Sequence, residues 1–176
     1  MKNSQRIAFC SIVTALSVVL LFLGGITFVL AYAMPMLVGL LMIMLSSTFG
    51  ASSAWITYAA VSGLSFILVN DKECMLMYVM FFGYYPIIKP YVDKIKIKPV
   101  RILLKLAVFN AMLAICQIIL VYVFSIPFLD EGVGKWFIAV FAVLMNLLFL
   151  VYDRLISSVT VLYKRKIEKR IKKIFK

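Results

Sequence analysis

The chain contains no histidine, and its three cysteines, Cys10, Cys74 and Cys116, are odd in number and far apart. Without a Cys or His pair at ligand spacing, a structural zinc site is excluded, and no metal or other cofactor is expected. The lone, scattered thiols also argue against a disulfide framework; inside apolar runs, Cys acts mainly as a small apolar residue. There is no Walker sequence, no H-E-x-x-H and no Ser/His/Asp arrangement. An enzyme is therefore not expected. The most informative lack is charge. No charged residue occurs between Arg6 and Asp71. At about 20 residues per helical crossing, that gap is long enough to traverse a bilayer about three times.

What is present agrees. The hydrophobic fraction is 65% and the mean hydropathy is +1.08. A soluble domain of that composition would expose large apolar patches and aggregate. The 176 residues leave room for short loops between membrane helices, and none for a separate soluble domain. Residues 1–163 read as a single membrane domain, and 164–176 as a basic tail. The N-terminus has a basic start, and Ala31-Tyr32-Ala33 fits a cleavage pattern. Its apolar run is too long for a signal peptide and further spans follow at once, so retention is expected.

Six spans are predicted: about Ile7–Gly24, Phe28–Leu45, Ala51–Val69, Cys74–Ile88, Arg101–Phe124, and one from near Trp136. Gly24-Gly25 breaks the first, Pro35 sits inside the second, and Ser46 to Gly50 forms a small polar turn. The uncharged turns among the first three spans also permit a re-entrant segment. Every Lys and Arg except Lys72 and Lys135 then falls on one side, with Asp71, Glu73, Asp130 and Glu131 on the other. The positive-inside rule puts both termini in the cytoplasm. The net charge of +12 therefore reads as a cytoplasmic fringe lying on anionic membrane lipid rather than as a nucleic-acid surface. In the tail, Ile167, Ile171, Ile174 and Phe175 recur at three and four residues among Lys and Arg. That pattern predicts a basic amphipathic helix at the inner surface.

The polar groups within or beside the spans are the functional candidates. Asn70, Asp71, Lys72 and Glu73 form an outer loop: a solvated turn, or one wall of a ligand site. Gly83-Tyr84-Tyr85-Pro86 closes the fourth span, with Lys89 free to snorkel to the headgroups. Interfacial anchoring and docking of a cytoplasmic-side partner are both open readings. Asp153 lies about 17 residues into the sixth span, roughly 26 Å at 1.5 Å per residue. It matches the depth of Lys105, so the two are expected to pair; neighbouring Arg154 is the alternative partner. Asn110 lies a little deeper. Gln117 and Asn146 suit interhelical hydrogen bonds. With Tyr78, Tyr122 and Trp136, they fall in the outer half or middle of the last three spans. That grouping reads as packing amides and aromatic belt, or as a mostly apolar pocket with a few polar fixtures. Ser11 and Ala15 give the first span a small-xxx-small face.

Six short spans, the Ser11–Ala15 pair and the basic fringe resemble the substrate-binding S components of energy-coupling-factor (ECF) transporters. The stretch from Asp71-Lys72 through Phe82-Gly83-Tyr84-Tyr85-Pro86 to Lys105 and Phe109-Asn110 is similar to small bacterial membrane proteins grouped near that family. In the family the first span usually carries Ala-xxx-Ala; here Ser11 stands first. The resemblance implies a non-enzymatic subunit of the bacterial plasma membrane that captures a vitamin or other micronutrient at its outer side. It implies docking through the first span onto a transmembrane coupling subunit driven by two ATPases. On topology, the site would draw on Asn70, Asp71, Lys72, Tyr78, Gln117, Tyr122, Trp136 and Asn146. The alternative is a membrane scaffold or assembly factor that binds a protein at its inner face, through Gly83, Tyr84, Tyr85, Pro86, Lys105 and Asp153. A small self-sufficient transporter or channel is the third reading.

Overall fold

The computed structural model describes residues 3–26, 28–125 and 135–167. The expected loop with Asp130 and Glu131, and the tail beyond residue 167, lie outside the described residues. Among the described residues the regular structure is entirely helical. In order it comprises α1 (Asn3–Gly24), α2 (Phe28–Phe49), α3 (Ala51–Leu68), α4 (Lys72–Met77), a π-helical turn (Tyr78–Phe82), α5 (Tyr85–Val92), α6 (Lys98–Tyr122), α7 (Lys135–Leu162) and a second π turn (Tyr163–Ile167).

Five stretches are long and apolar enough to cross a membrane: Ser4–Gly24, Leu30–Phe49, Ala51–Leu68, Lys98–Tyr122 and Ala139–Arg165. The fourth predicted span, Cys74–Ile88, is not one such helix. It is two short α-helices joined through the first π turn. Pro86 contributes to the break, while Gly83, itself helical at φ −73° and ψ −47°, leaves room for the Tyr58 ring. Gly83 N–H donates to the Tyr78 carbonyl at 2.8 Å, which closes the wide turn. Pro86 has no N–H, so it offers nothing to the carbonyl of Phe82 four residues back. A proline is tolerated in the first turn of α5, where the N–H would lack a helical partner anyway.

Local chemistry sets the other boundaries. Gly50 adopts φ +88°, a left-handed conformation that lets α3 start immediately after α2. The Ser53 hydroxyl donates to the Phe49 carbonyl at 3.2 Å, satisfying one of the orphan acceptors at that corner. α3 is closed by Lys72, whose Nζ donates to the Val69 carbonyl at 3.0 Å and the Phe66 carbonyl at 3.4 Å. α4 is opened by Asp71, whose Oδ1 accepts from the N–H of Glu73 at 3.0 Å and of Cys74 at 3.3 Å.

α2 is the hub, touching α1, α3, α4, the first π turn, α5 and α7. It meets α7 and the first π turn at Gly39. A Cβ there would fall onto the Tyr152 hydroxyl of α7 and the Phe82 carbonyl, so only glycine lets these three elements meet. α6 and α7 are fastened through an aromatic cluster. Phe81 stacks on Tyr85 at 4.6 Å and meets Phe109 and Phe149 edge-on at 4.9 and 5.4 Å. Phe109 and Phe149 stack at 4.7 Å. Such pairs contribute about 0.5–1.5 kcal/mol each beyond burial. The periphery is apolar: Ile12, Ile56, Ile67, Leu103 and Val143 are all exposed.

The elements alternate in direction, giving the bundle two distinct ends. At one, the Thr48 and Tyr163 hydroxyls bond at 2.5 Å and Lys89 reaches Asp153. At the other, the Tyr32 hydroxyl donates to Glu73, and Cys74 lies against the Leu21 carbonyl.

Candidate functional site

The broken segment lies in the core. Cys74, Met75, Tyr78, Phe82 and Ile87 are all nearly or fully buried. Irregular backbone of this kind persists in an apolar surrounding only if its polar groups find partners within the protein. Two tyrosines from flanking helices supply them. Tyr58 of α3 donates to the Val79 carbonyl at 2.7 Å. Tyr152 of α7 donates to the Phe82 carbonyl at 3.3 Å, replacing the donor that Pro86 lacks. Tyr78 and Tyr84 hydroxyls are buried without a hydrogen-bond partner, as is Gln117 Nε2.

The segment's basic end carries a charge cluster built from three helices. Asp153 of α7 accepts from Lys89 of α5, from Lys105 of α6 at 3.0 and 3.2 Å, and from the Tyr85 hydroxyl at 2.5 Å. Asp93, at the C-cap of α5, accepts from Lys105 at 2.6 Å and lies 3.5 Å from Lys89 and 3.9 Å from Arg101. Arg101 also donates to the Asp93 carbonyl at 3.1 Å. Lys89 is 4% exposed and Lys105 7%. Two ammonium groups so placed are tolerable only with paired carboxylates. Three cations thus face two acids.

Beside the cluster lies a cleft of about 490 Å³ between the last turns of α2, α5 and α7. Ser46, Ser47, Lys89, Asp93, Thr160 and Lys164 line it together with Ile43 and Ile156. A smaller cleft of about 220 Å³ runs between α1 and α3, past Ser11, Thr14, Ser53 and Thr57.

The sequence-predicted residues fall in different places. Lys105 and Asp153 are in contact, and Arg154 is exposed, so Asp153 pairs across helices rather than with its neighbour. Lys89 does not snorkel: it is buried on Asp153, because the break in the fourth segment turns α5 toward α7. Tyr85 likewise faces Asp153. Tyr84 and Gly83 pack against Tyr58. Asn110 and Asn146 exchange two hydrogen bonds, at 2.8 and 3.0 Å. Ser11 and Ala15 are exposed on α1.

Among the outer-site candidates, Asp71 and Lys72 close helix ends and Asn70 is exposed between them. Tyr78 is fully buried, whereas Tyr122 and Trp136 are 82% and 71% exposed. Among the described residues no hydrogen bond joins any two of Asn70, Asp71, Lys72, Tyr78, Gln117, Tyr122, Trp136 and Asn146. Sequence reasoning missed Asp93, Gly39, Tyr58 and Tyr152 as site-building residues. For Asp93 a signal existed: it is an acid between Lys89 and Arg101, one turn after Lys89. Tyr152 had one too, as the residue beside Asp153. No protein-family model matches the chain, and no curated protein and no solved structure is significantly similar to it.

Proposed function

We propose that the chain is an integral membrane protein of six crossings, with its basic end in the cytoplasm, acting as the non-enzymatic solute-binding subunit of an importer of the ECF type. The observation that carries this reading is the discontinuous fourth segment at the centre of the bundle. Interrupted helices at membrane depth are where transporters commonly build their binding sites. The carbonyls of Val79 and Phe82 are taken by Tyr58 and Tyr152, so the groups left for a ligand at this break are side-chain ones. Here the break lies beside the unpartnered hydroxyls of Tyr78 and Tyr84. Ser11 and Ala15, exposed on α1, suit contact with a coupling subunit.

The test is purification of the tagged chain from its native membranes in mild detergent, with mass spectrometry of bound proteins and small molecules. Co-purification of a multi-span protein with two ATPases, plus a retained micronutrient, supports the proposal. A chain that carries neither refutes it.

A second reading has its own observation. The polar groups are gathered at the basic end, which suits a scaffold or assembly factor holding a protein at the inner face. It expects one stable partner, no bound solute, and release of that partner on charge reversal at Lys164.

A further inference from the structure

We propose that the cleft at the basic end is a binding site for a phosphate group, carried either by an anionic phospholipid or by a soluble phosphomonoester.

Three observations converge on it. The first is charge. Lys89, Lys105 and Arg101 surround Asp93 and Asp153, which leaves one positive charge uncompensated within the cluster. Lys164 adds another at the rim, where it is exposed. Asp93 also lines the cleft, but Lys105 at 2.6 Å offsets its charge. Of these cations Lys89 and Lys164 line the cleft, whereas Lys105 and the partly exposed Arg101 stand behind it.

The second is donor chemistry. Phosphate oxygens only accept, and the cleft offers ammonium and hydroxyl donors from α2, α5 and the second π turn: Ser46, Ser47, Lys89 and Lys164. Charge-assisted bonds of this kind are about twice as strong as neutral ones. The third is place and size. About 490 Å³ suits a headgroup or small phosphate ester, within the roughly 300–1,000 Å³ of ordinary ligand sites. The cleft opens at the basic end, and basic pockets between helices at a cytoplasmic face are where anionic headgroups bind. The inference is independent of the importer reading, since it needs neither an outer site nor an ATPase.

The full chain, in nanodiscs of phosphatidylcholine, is melted in two arms. One arm replaces phosphatidylcholine stepwise with phosphatidylglycerol. The other adds glycerol 3-phosphate, with inorganic phosphate in parallel. Each is repeated with Lys164→Gln, Lys164→Arg and Lys94→Gln; Lys94 is an exposed lysine outside the cleft. A lysine near an anionic surface contributes about 1 kcal/mol, so Lys164→Gln should weaken apparent affinity about fivefold. Lys164→Arg should retain it, and Lys94→Gln should leave it unchanged.

Protection by phosphatidylglycerol with that variant pattern establishes a lipid site. The same pattern with glycerol 3-phosphate or phosphate alone establishes a soluble ligand. No protection in either arm overturns the proposal. So does protection lost equally in Lys164→Gln and Lys94→Gln, which is the signature of diffuse surface charge.

Discussion

Asp153→Asn is the sharpest perturbation of this structure. The substitution is nearly isosteric and keeps an oxygen for Tyr85, so any effect is electrostatic rather than one of packing. It removes the carboxylate that faces both Lys89 and Lys105. A unit pair at 4 Å attracts by about 4 kcal/mol at an effective dielectric of 20. Breaking one partner of a buried pair costs about 3–5 kcal/mol in measured cases, because the survivor stays buried and uncompensated. Lys105 keeps Asp93 at 2.6 Å, whereas Lys89 keeps only a 3.5 Å approach to it. The loss therefore falls mainly on Lys89.

At about 2–4 °C per kcal/mol for a chain of this size, Asp153→Asn should lower the melting temperature in detergent by about 10 °C. Arg154→Gln, one residue away and exposed, should change stability by less than about 0.5 kcal/mol. The double variant Lys89→Met with Asp153→Leu should recover much of the loss, since a matched apolar pair commonly replaces a buried ion pair without penalty. An Asp153→Asn protein that melts with the wild type would refute the cluster. A double variant worse than either single one would refute the assignment of the loss to Lys89.

Gly39→Ala should be the most damaging single methyl, because the Phe82 carbonyl it meets is backbone and cannot swing away; loss of the monodisperse peak in size-exclusion chromatography is the readout. Tyr152→Phe removes only the donor to Phe82, and should cost about 1 kcal/mol in a thermal melt. Asn110→Leu and Asn146→Leu should each cost about 0.6 kcal/mol, and together no more than either alone, since each amide serves the other. For orientation, single cysteines at Lys72 and Lys164 should label from opposite faces of sealed vesicles; labelling from the same face would defeat the six-crossing reading.

How far the sequence reaches is visible in particular residues. Charge-free length alone locates α1, α2 and α3, because a helix needs only apolar length and a glycine or polar turn to end it. Depth along a helix is equally legible. Asp153 and Lys105 are brought to the same level by counting residues, and the structure puts them 3.0 Å apart. What is not legible is rotation about a helix axis. A π turn adds a residue to one turn and so rotates everything after it. Lys89 therefore points at α7 instead of toward the headgroups, and Tyr85 points at Asp153 instead of at an interface. For two of the outer candidates the structure shows a local role. Asp71 and Lys72 cap helix ends, a demand that places polar residues there whatever else they do.

The break itself is written in the sequence once its consequences are followed. Pro86 leaves the Phe82 carbonyl without a helical donor, and such a carbonyl needs another one in an apolar interior. The donor must come from a neighbouring helix at the same level. Tyr152 is that donor, and it can approach only because Gly39 leaves space on α2. On α7 the residue after Tyr152 is Asp153, so the helix that repairs the break also brings a carboxylate to Lys89, three residues after Pro86. The proline, the glycine, the tyrosine and the ion pair are thus one device. It fixes the rotation of α5 against α7 and sets Lys89 into the wall of the cleft, and each part is without purpose if the fourth segment is an uninterrupted helix.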